Sequence, residues 1–249
     1  MTLRVGLGEY DTGWEDPATS LRRADLVVAR AAQRGAGLVV LPEMCTTGFT
    51  MDSRRLAEPL DGPSVTALRE MARQKGVHLL AGVATRAGEC YNSALLIDPS
   101  GGIAGEYRKQ RLFGYAGETD HYAAGAGPVV LEVGGVRIAP FVCFDLRFPE
   151  LFREVAPRVD AMVLIASWPA ARRAHWDVLV RARAIENQCY VVAVNRVGEG
   201  GGLAYDGGSV AYSPWGDRLG GGGEVVEIDP GEVTRTRSAY PFVADQRLR

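Results

Sequence analysis

Short apolar runs rich in β-branched residues recur along the chain, and each is bounded by glycine, proline, aspartate or asparagine. This pattern predicts many short strands. The strands are expected in LRVGLGEY, GAGLVVLPE, HLLAGVAT, NSALLIDP, GIAGEYRK, GPVVLEV, VRIAPFVC, DAMVLIAS, CYVVAVNRV, SVAYSP and EVVEIDP. Several are apolar throughout, which is typical of strands covered on both faces, whereas the close spacing of the third, fourth and fifth favours hairpins. We therefore expect mixed sheets.

Two stretches between the strands have the periodicity of amphipathic helices. Apolar residues keep one helical face from 21 to 31 and again from 176 to 184. Strands and helices alternate in part, which predicts an α/β fold. Two glycine clusters, at 198–202 and 220–223, lack the patterns of phosphate-binding loops and are interpreted as mobile loops.

The composition favours one domain over residues 1–249, because 47% of the residues are hydrophobic and can form a large core. The formal net charge is −2, with both signs mixed along the chain, so neither nucleic acid nor an anionic membrane is an expected partner. No signal peptide or membrane-spanning window is recognisable, and we expect a cytoplasmic protein. The four cysteines are far apart, without metal-ligand spacing, which predicts free thiols and no metal.

Three ionisable residues each follow a predicted strand: Glu43 after GLVVLP, Lys109 after GIAGEYR and Cys143 after VRIAPFV. Because sites in α/β sheets gather at the carboxyl ends of strands, the three side chains could meet. Taken singly, each has a simpler interpretation: a buried cysteine, a solvated strand end and an exposed basic turn. Pro149 can begin a helix after Cys143, which would favour the thiolate.

The chemistry that these three residues would support is acyl transfer. A cysteine nucleophile needs a base and donors for the oxyanion. Glu43 could be the base, and Lys109 with the backbone N–H of Phe144 could face the oxyanion. Water would then hydrolyse the thioester without a cofactor. A histidine-based scheme is less favoured, since no histidine has a catalytic motif around it and no serine lies in G-x-S-x-G.

The segments VVLPEM, YRKQRLF and VCFDLRFPE, in this order, resemble the motifs of the nitrilase superfamily of carbon–nitrogen hydrolases. The resemblance implies a four-layer α-β-β-α sandwich of two mixed sheets with helices outside. It also implies that Cys143 is the nucleophile, Glu43 the general base and Lys109 the stabiliser of the tetrahedral intermediate. Glu118, in GETDHYAAG, matches a second glutamate of many members that would orient Lys109. A solvated loop acid is the alternative for Glu118.

Four further segments, EMCTTGF, RLFGYAGETDHYAAG, ASWPAARRAHW and RARAIENQCYVVAVNRVG, are similar to omega-amidases. This branch hydrolyses 2-oxoglutaramate or 2-oxosuccinamate to the 2-oxo acid and ammonia. Such a substrate needs an arginine for its carboxylate. The sequence offers four arginines without choosing between them, and it offers aromatic candidates for the pocket walls. The expected substrate-binding residues are Phe49, Phe113, Phe144, Trp168, Arg147 and Arg173, with Arg172 and Arg183 as further arginine candidates.

Three positions depart from the pattern of close relatives: Phe144 replaces a tyrosine, Cys45 an aromatic residue and Ser167 an asparagine. These changes leave the catalytic group intact but weaken the assignment of a substrate. An N-carbamoyl-amino acid or β-ureido acid amidohydrolase, another aliphatic amidase or a nitrilase, and a catalytically silent scaffold therefore stay open as alternatives. The C-terminal tail, from about 235 to 249, resembles a family segment at a dimer interface, and we expect a homodimer.

Overall fold

The computed structural model describes residues 1–245 and contains two six-stranded mixed sheets. The strands of the first sheet are β1 (Leu3–Leu7), β2 (Leu38–Val40), β3 (His78–Ala87), β4 (Glu89–Ile97), β5 (Ile103–Arg108) and β14 (Val225–Ile228). Their order is β14-β1-β2-β3-β4-β5. β1, β2 and β3 run parallel, and the expected antiparallel meander continues through β4 and β5.

The second sheet has the order β13-β12-β9-β8-β7-β6. Its strands are β6 (Leu131–Val133), β7 (Val136–Val142), β8 (Ala161–Ala166), β9 (Tyr190–Asn195), β12 (Val210–Tyr212) and β13 (Arg218–Gly221). β7, β8 and β9 form its parallel centre. A separate hairpin consists of β10 (Val197–Gly200) and β11 (Leu203–Asp206) and leaves the second sheet beyond β9.

Helices lie on the outer faces of both sheets. They are α1 (Pro17–Gln33), α2 (Ser53–Leu56), α3 (Pro63–Lys75), α4 (Pro149–Val155), α5 (Arg173–Asn187), α6 (Pro230–Ala239) and α7 (Phe242–Asp245). The start of α1 follows from its sequence, because the Asp16 side chain accepts a hydrogen bond from Thr19 N and proline occupies the first helical position. α3 ends at Gly76, which adopts the left-handed conformation.

The burial pattern explains the layers. In the first sheet, Val5, Leu80 and Leu96 point into the core shared with the second sheet, whereas Leu79 and Leu95, one residue away, pack beneath α1 and α3. This period of two buries both faces of the strands, so their continuous apolar character is explained. α4 and α5 cover the second sheet in the same way. The expected four-layer α-β-β-α sandwich is confirmed.

Some expectations need correction. Both predicted helices are present, within α1 and α5, but the sequence pattern missed α3 and α6. The glycine cluster at 198–202 is not a free loop, because it forms part of the β10–β11 hairpin and its turn, and the cluster at 220–223 begins inside β13. In residues 1–245, no helix is long and apolar enough to cross a membrane.

Candidate active site

The ends of three strands bring the candidate residues together. Glu43 lies just beyond β2, Lys109 directly follows β5 of the same sheet, and Cys143 directly follows β7 of the second sheet. Glu118 joins them from a short 3-10 turn at Glu118–Asp120. The site therefore lies where the two sheets meet, and each sheet contributes part of it.

Lys109 is the centre of a buried ionic group. Its Nζ donates to Glu43 Oε1 at 3.0 Å and to the two oxygens of Glu118 at 3.0 and 2.8 Å. All three side chains are 0% exposed. Glu118 also accepts a hydrogen bond from Phe113 N at 2.6 Å, so it is a fully engaged partner of Lys109 and not the solvated loop acid that was the alternative.

A side chain that the motifs did not single out completes the group. The buried Asn92, on β4, donates from Nδ2 to Glu43 Oε1 at 2.7 Å and to Glu118 Oε1 at 2.8 Å. The other oxygen of Glu43, Oε2, accepts a hydrogen bond from the backbone N of Ser167 at 2.8 Å. Both oxygens of Glu43 are thus held by donors from separate strands and loops.

Glycine at position 82 lets the backbone that carries Glu43 lie against β3. A Cβ atom there would lie 2.5 Å from Pro42 O and 2.6 Å from Glu43 Cα. Cys45 N donates to Gly82 O at 2.8 Å, which fastens the turn to the strand. Met44 has a φ of 44°, in the left-handed region, so this turn holds a conformation that few side chains adopt.

Cys143 occupies a similarly constrained turn. Its φ is 46°, and it opens a 3-10 turn that runs to Arg147 before α4 begins at Pro149. The buried Asp145 fixes this turn, because its carboxylate accepts hydrogen bonds from Val142 N at 2.9 Å and Tyr107 Oη at 2.7 Å. Backbone strain of this kind is common at functional sites.

The electrostatics set the resting protonation states. Burial raises the pKa of the Cys143 thiol well above its ordinary value; the charge of Glu43 raises it further, and that of Lys109 opposes both. The thiol is therefore protonated at rest, so a base must take its proton before the sulfur can attack. Burial lowers the pKa of Lys109, but Glu118 and Glu43 outweigh burial and raise it overall, so Lys109 is an ammonium.

A cavity of about 370 Å³ opens above Cys143. Its walls include the aromatic side chains of Trp14, Phe49, Phe113, Phe144, Trp168 and Tyr205. Four of these, Phe49, Phe113, Phe144 and Trp168, were expected from the sequence. Phe144 packs against Phe113 with ring centroids 4.9 Å apart. The cavity is thus a largely apolar chamber with the ionic group beside its cysteine.

Two arginines face this chamber: Arg147, as expected, and Arg172. Arg173, the other expected residue, does not line the cavity; it pairs with Asp177 at 2.8 Å and Asp206 at 3.3 Å. The reason is local, since Arg172 ends a 3-10 turn and Arg173 begins α5. Arg183 is also a structural residue, donating to Leu146 O at 2.6 Å.

The two cavity arginines influence each other. Partial burial lowers the pKa of Arg147, and the positive charge of Arg172 lowers it further. Within residues 1–245, neither guanidinium has a carboxylate at ion-pair distance, and Arg147 Nη2 donates to His175 Nδ1 at 3.1 Å. Two neighbouring cations without an acidic partner favour the binding of an anion. In the same part of the chain, no cluster of histidine, cysteine, aspartate or glutamate is arranged to hold a metal ion.

Sequence reasoning missed three parts of the site: Asn92, Trp14 and the β10–β11 hairpin. Asn92 is an ordinary polar residue within a strand pattern, and its partners are distant in sequence. Trp14 precedes α1 in a polar segment, with no periodic signal. The hairpin was not predicted because its glycine-rich sequence is typical of a loop. The glycines leave room for Trp14, since a Cβ atom at Gly201 would lie 2.7 Å from the indole ring.

Comparisons with known proteins agree with this geometry. Residues 4–238 match the model of the carbon–nitrogen hydrolase family. The chain is 34% identical to a 2-oxoglutaramate amidase of Bacillus subtilis, over 99% of this chain and 98% of the relative. It is 39% identical to the omega-amidase YafV of Escherichia coli K12, over 99% and 93% of the two chains.

Two solved structures of related proteins have the same fold over nearly the whole chain. A CN-hydrolase superfamily protein from Xanthomonas campestris, with an arsenic adduct in its active site, superimposes with a TM-score of 0.93 at 34% identity, covering 100% of this chain and 98% of the other. A mutant amidase from Nesterenkonia sp. AN1, which carries acrylamide added at its active-site cysteine, superimposes with a TM-score of 0.84 at 26% identity, covering 98% and 96%.

Proposed function

The chain belongs to the carbon–nitrogen hydrolase family, and on this basis we propose that it is an omega-amidase, which hydrolyses the terminal primary amide of 2-oxoglutaramate or 2-oxosuccinamate to the 2-oxo acid and ammonia. The observation that carries the proposal is a combination of two features of one cavity. The buried group of Glu43, Lys109 and Glu118 lies beside Cys143, and two arginines that pair with no carboxylate among the described residues line the cavity wall. The first can perform amide hydrolysis, and the second can select a carboxylate.

The proposed reaction begins with proton transfer. Because burial keeps the Cys143 thiol protonated, Glu43 takes the proton as Sγ attacks the amide carbon. The oxyanion that forms faces the ammonium of Lys109 and the N–H of Phe144. Glu43 then gives the proton to the leaving nitrogen, ammonia departs, and a thioester remains. Glu43 activates water to hydrolyse it, which restores the thiol. Glu118 holds Lys109 throughout.

Selectivity follows from the two arginines. A guanidinium binds a carboxylate through two parallel hydrogen bonds, and Arg147 and Arg172 can share the carboxylate and the 2-oxo group of the substrate. The cavity of about 370 Å³ has room for a five-carbon substrate between its aromatic side chains. A neutral amide of the same size would leave both cations without an anion and would bind less well.

The test is ammonia release from 2-oxoglutaramate, with glutamine and an N-carbamoyl β-amino acid as competing substrates. We expect rapid release from the oxo-amide and none with Cys143→Ala. Arg172→Met should lower kcat/KM by about 10²-fold, mainly through KM, as expected for the loss of charged hydrogen bonds. Its neighbour Arg173, which pairs outside the cavity, supplies the matched control, Arg173→Met, and should change kcat/KM little.

The outcomes separate the alternatives. Turnover of the N-carbamoyl compound in place of the oxo-amide would assign the chain to the amidohydrolase alternative. Turnover that persists in Cys143→Ala would refute the nucleophile. A larger loss from Arg173→Met than from Arg172→Met would show that the carboxylate binds elsewhere and that the arginine assignment is wrong.

We further propose that the protein is a homodimer in the cytoplasm. The support for dimerisation comes from exposed apolar side chains: Val178 and Ile185 on α5, and the rings of Trp215, Tyr240 and Phe242, which contact one another in tilted pairs. Exposed apolar groups of this kind are typical of interfaces. The tail expected at this interface is described as far as residue 245, and residues 246–249 lie outside the described part. Four free cysteines fit a reducing compartment.

The dimer is tested by sedimentation equilibrium. Phe242→Ser should weaken self-association, whereas Leu26→Ser, an equally exposed apolar residue on α1, should not. A monomer in the unmodified protein, or equal effects of both substitutions, would overturn this assignment.

A further inference from the structure

Asn92 connects the two glutamates that share Lys109. Its side chain is 0% exposed, and its single nitrogen donates to Oε1 of Glu43 and to Oε1 of Glu118. Lys109 Nζ donates to the same two oxygens at 3.0 Å each. The four groups therefore form a closed ring in which two acceptors alternate with two donors.

The ring has an excess of negative charge, because two carboxylates face one ammonium. Buried like charges repel strongly unless donors stabilise them. Asn92 supplies two N–H donors and no charge, so it offsets part of the repulsion between two carboxylates that share a single cation. A second lysine at this position would neutralise the excess charge that Glu43 needs in order to accept a proton.

The carbonyl oxygen of Asn92 supports this interpretation. Oδ1 is buried and has no hydrogen-bond partner among the described residues. If the amide were rotated by 180°, Oδ1 would face the carboxylates of Glu43 and Glu118 and repel them. The two glutamates therefore fix the orientation of the Asn92 amide. A buried polar atom without a partner costs free energy. The two hydrogen bonds that Asn92 donates therefore set the orientation of its amide.

We propose that Asn92 is a positioning residue of the catalytic group: together with Lys109 it fills Oε1 of Glu43, so that Oε2, which accepts only the backbone N–H of Ser167 among the described residues, has room to receive the Cys143 proton, and it holds Glu118 against Lys109. This inference rests on the proposed roles of Glu43 and Lys109. When Glu43 takes the proton, Lys109 keeps Glu118 as its counter-charge and remains directed at the oxyanion. Without Asn92, Lys109 would be the one donor shared by Glu43 and Glu118.

The test compares Asn92→Ala, Asn92→Asp and the control Asn187→Ala. Asn187 is also a 0% exposed asparagine with an unpartnered Oδ1, but it lies at the end of α5 and donates to Arg183 O. We expect Asn92→Ala to lower kcat/KM by about 10²-fold, mostly through kcat, as for a misplaced catalytic group. Aspartate has the same shape as asparagine but replaces the two N–H donors with a third acid, so Asn92→Asp should lower kcat/KM more than Asn92→Ala does. Asn187→Ala should keep kcat/KM within about threefold of the unmodified enzyme.

The pH profile of kcat/KM separates positioning from packing. The titratable groups that face the ring are Cys143, Tyr122, Tyr205 and Asp145. Loss of donors to a carboxylate favours its protonated form, so the acid limb should move to higher pH by about one unit in Asn92→Ala and further in Asn92→Asp. A purely structural asparagine would lower activity or the melting temperature without moving this limb.

Alkylation of Cys143 by iodoacetamide supplies a readout that needs no substrate. Its rate against pH should shift with the kinetic acid limb, even if the oxo-amide is not the substrate, so failure of the proposed function is distinguishable from failure of this inference. An Asn92→Asp enzyme as active as the unmodified one, or alkylation and kinetic profiles that do not move in either Asn92 variant, would overturn the role assigned to Asn92.

Discussion

Replacing Asp145 with asparagine tests the turn that presents Cys143. Oδ2 of Asp145 accepts hydrogen bonds from Tyr107 Oη and Val142 N, and Oδ1 accepts one from Arg111 N at 2.9 Å. Asparagine has one acceptor oxygen. If that oxygen keeps the first two donors, the new NH₂ group meets the N–H of Arg111. This part-buried donor loses its partner, which costs up to about 1–3 kcal/mol.

The cost depends on pH, and its sign follows from the pKa of Asp145. Burial raises this pKa from 3.8 to about 6, although the bonds from Val142 and Tyr107 oppose the shift. A folded pKa above the unfolded value means that the folded state binds the proton more tightly. The contribution of Asp145 to the free energy of unfolding is therefore fully present below pH about 4 and is lost as the pH rises through about 6.

Asparagine does not titrate, so the gap between the two proteins should widen as the pH falls. Between pH 8 and pH 5, the difference in free energy of unfolding should grow by on the order of 1 kcal/mol. Urea unfolding of the unmodified protein and Asp145→Asn at pH 5, 6, 7 and 8 measures this difference, and the titration of all other groups cancels in it. A difference that is constant, or larger at pH 8, would refute the reasoning.

Two glycine substitutions test the backbone around the cavity. Gly82→Ala places a Cβ 2.6 Å from Glu43 Cα, so we expect destabilisation by about 1–3 kcal/mol, measured by urea unfolding, and loss of ammonia release; an active, stable variant would contradict the tight approach. Gly201→Ala places a Cβ 2.7 Å from the Trp14 ring and should raise KM, whereas Gly202→Ala, with a similarly positive φ and open space around it, should not; equal KM values would show that Trp14 does not shape the cavity.

The strand pattern was enough to predict that three of the candidate site residues could meet. Glu43, Lys109 and Cys143 each follow an apolar run, and the end of a strand is a property that the alternation of residues records directly. The α/β class followed from the same pattern, whereas the four-layer arrangement was implied by the resemblance to the nitrilase superfamily. The glycine that ends the GETDHYAAG motif, Gly125, has a local structural reason. A Cβ atom at this position would lie 2.1 Å from the carbonyl oxygen of Arg108, the residue before Lys109, so no larger residue fits.

Side-chain direction near a helix start could not be predicted. Arg172 and Arg173 are adjacent, yet the first faces the cavity and the second pairs with Asp177, one turn further along α5. Successive residues on a helix point about 100° apart, so an uncertainty of one residue in the helix boundary changes the direction completely. Asn92 posed a different difficulty, since its partner Glu43 is 49 residues away in sequence.

The three departures from the family pattern leave the candidate group of Glu43, Lys109 and Cys143 in place. At two of these positions, Ser167 and Cys45, a backbone N–H makes the contact that positions Glu43 or its turn. Ser167 holds the Glu43 carboxylate through its backbone N–H, which any residue except proline would supply, and its hydroxyl adds a hydrogen bond to the Glu43 carbonyl at 3.3 Å. Cys45 is fully buried and does not line the cavity, so a substrate bound there would meet Cys143 and not Cys45. Phe144, by contrast, lines the cavity with a side chain that lacks a hydroxyl. Among the three departures, a change of substrate preference should therefore originate at Phe144, where a Phe144→Tyr enzyme should prefer substrates with an additional polar group.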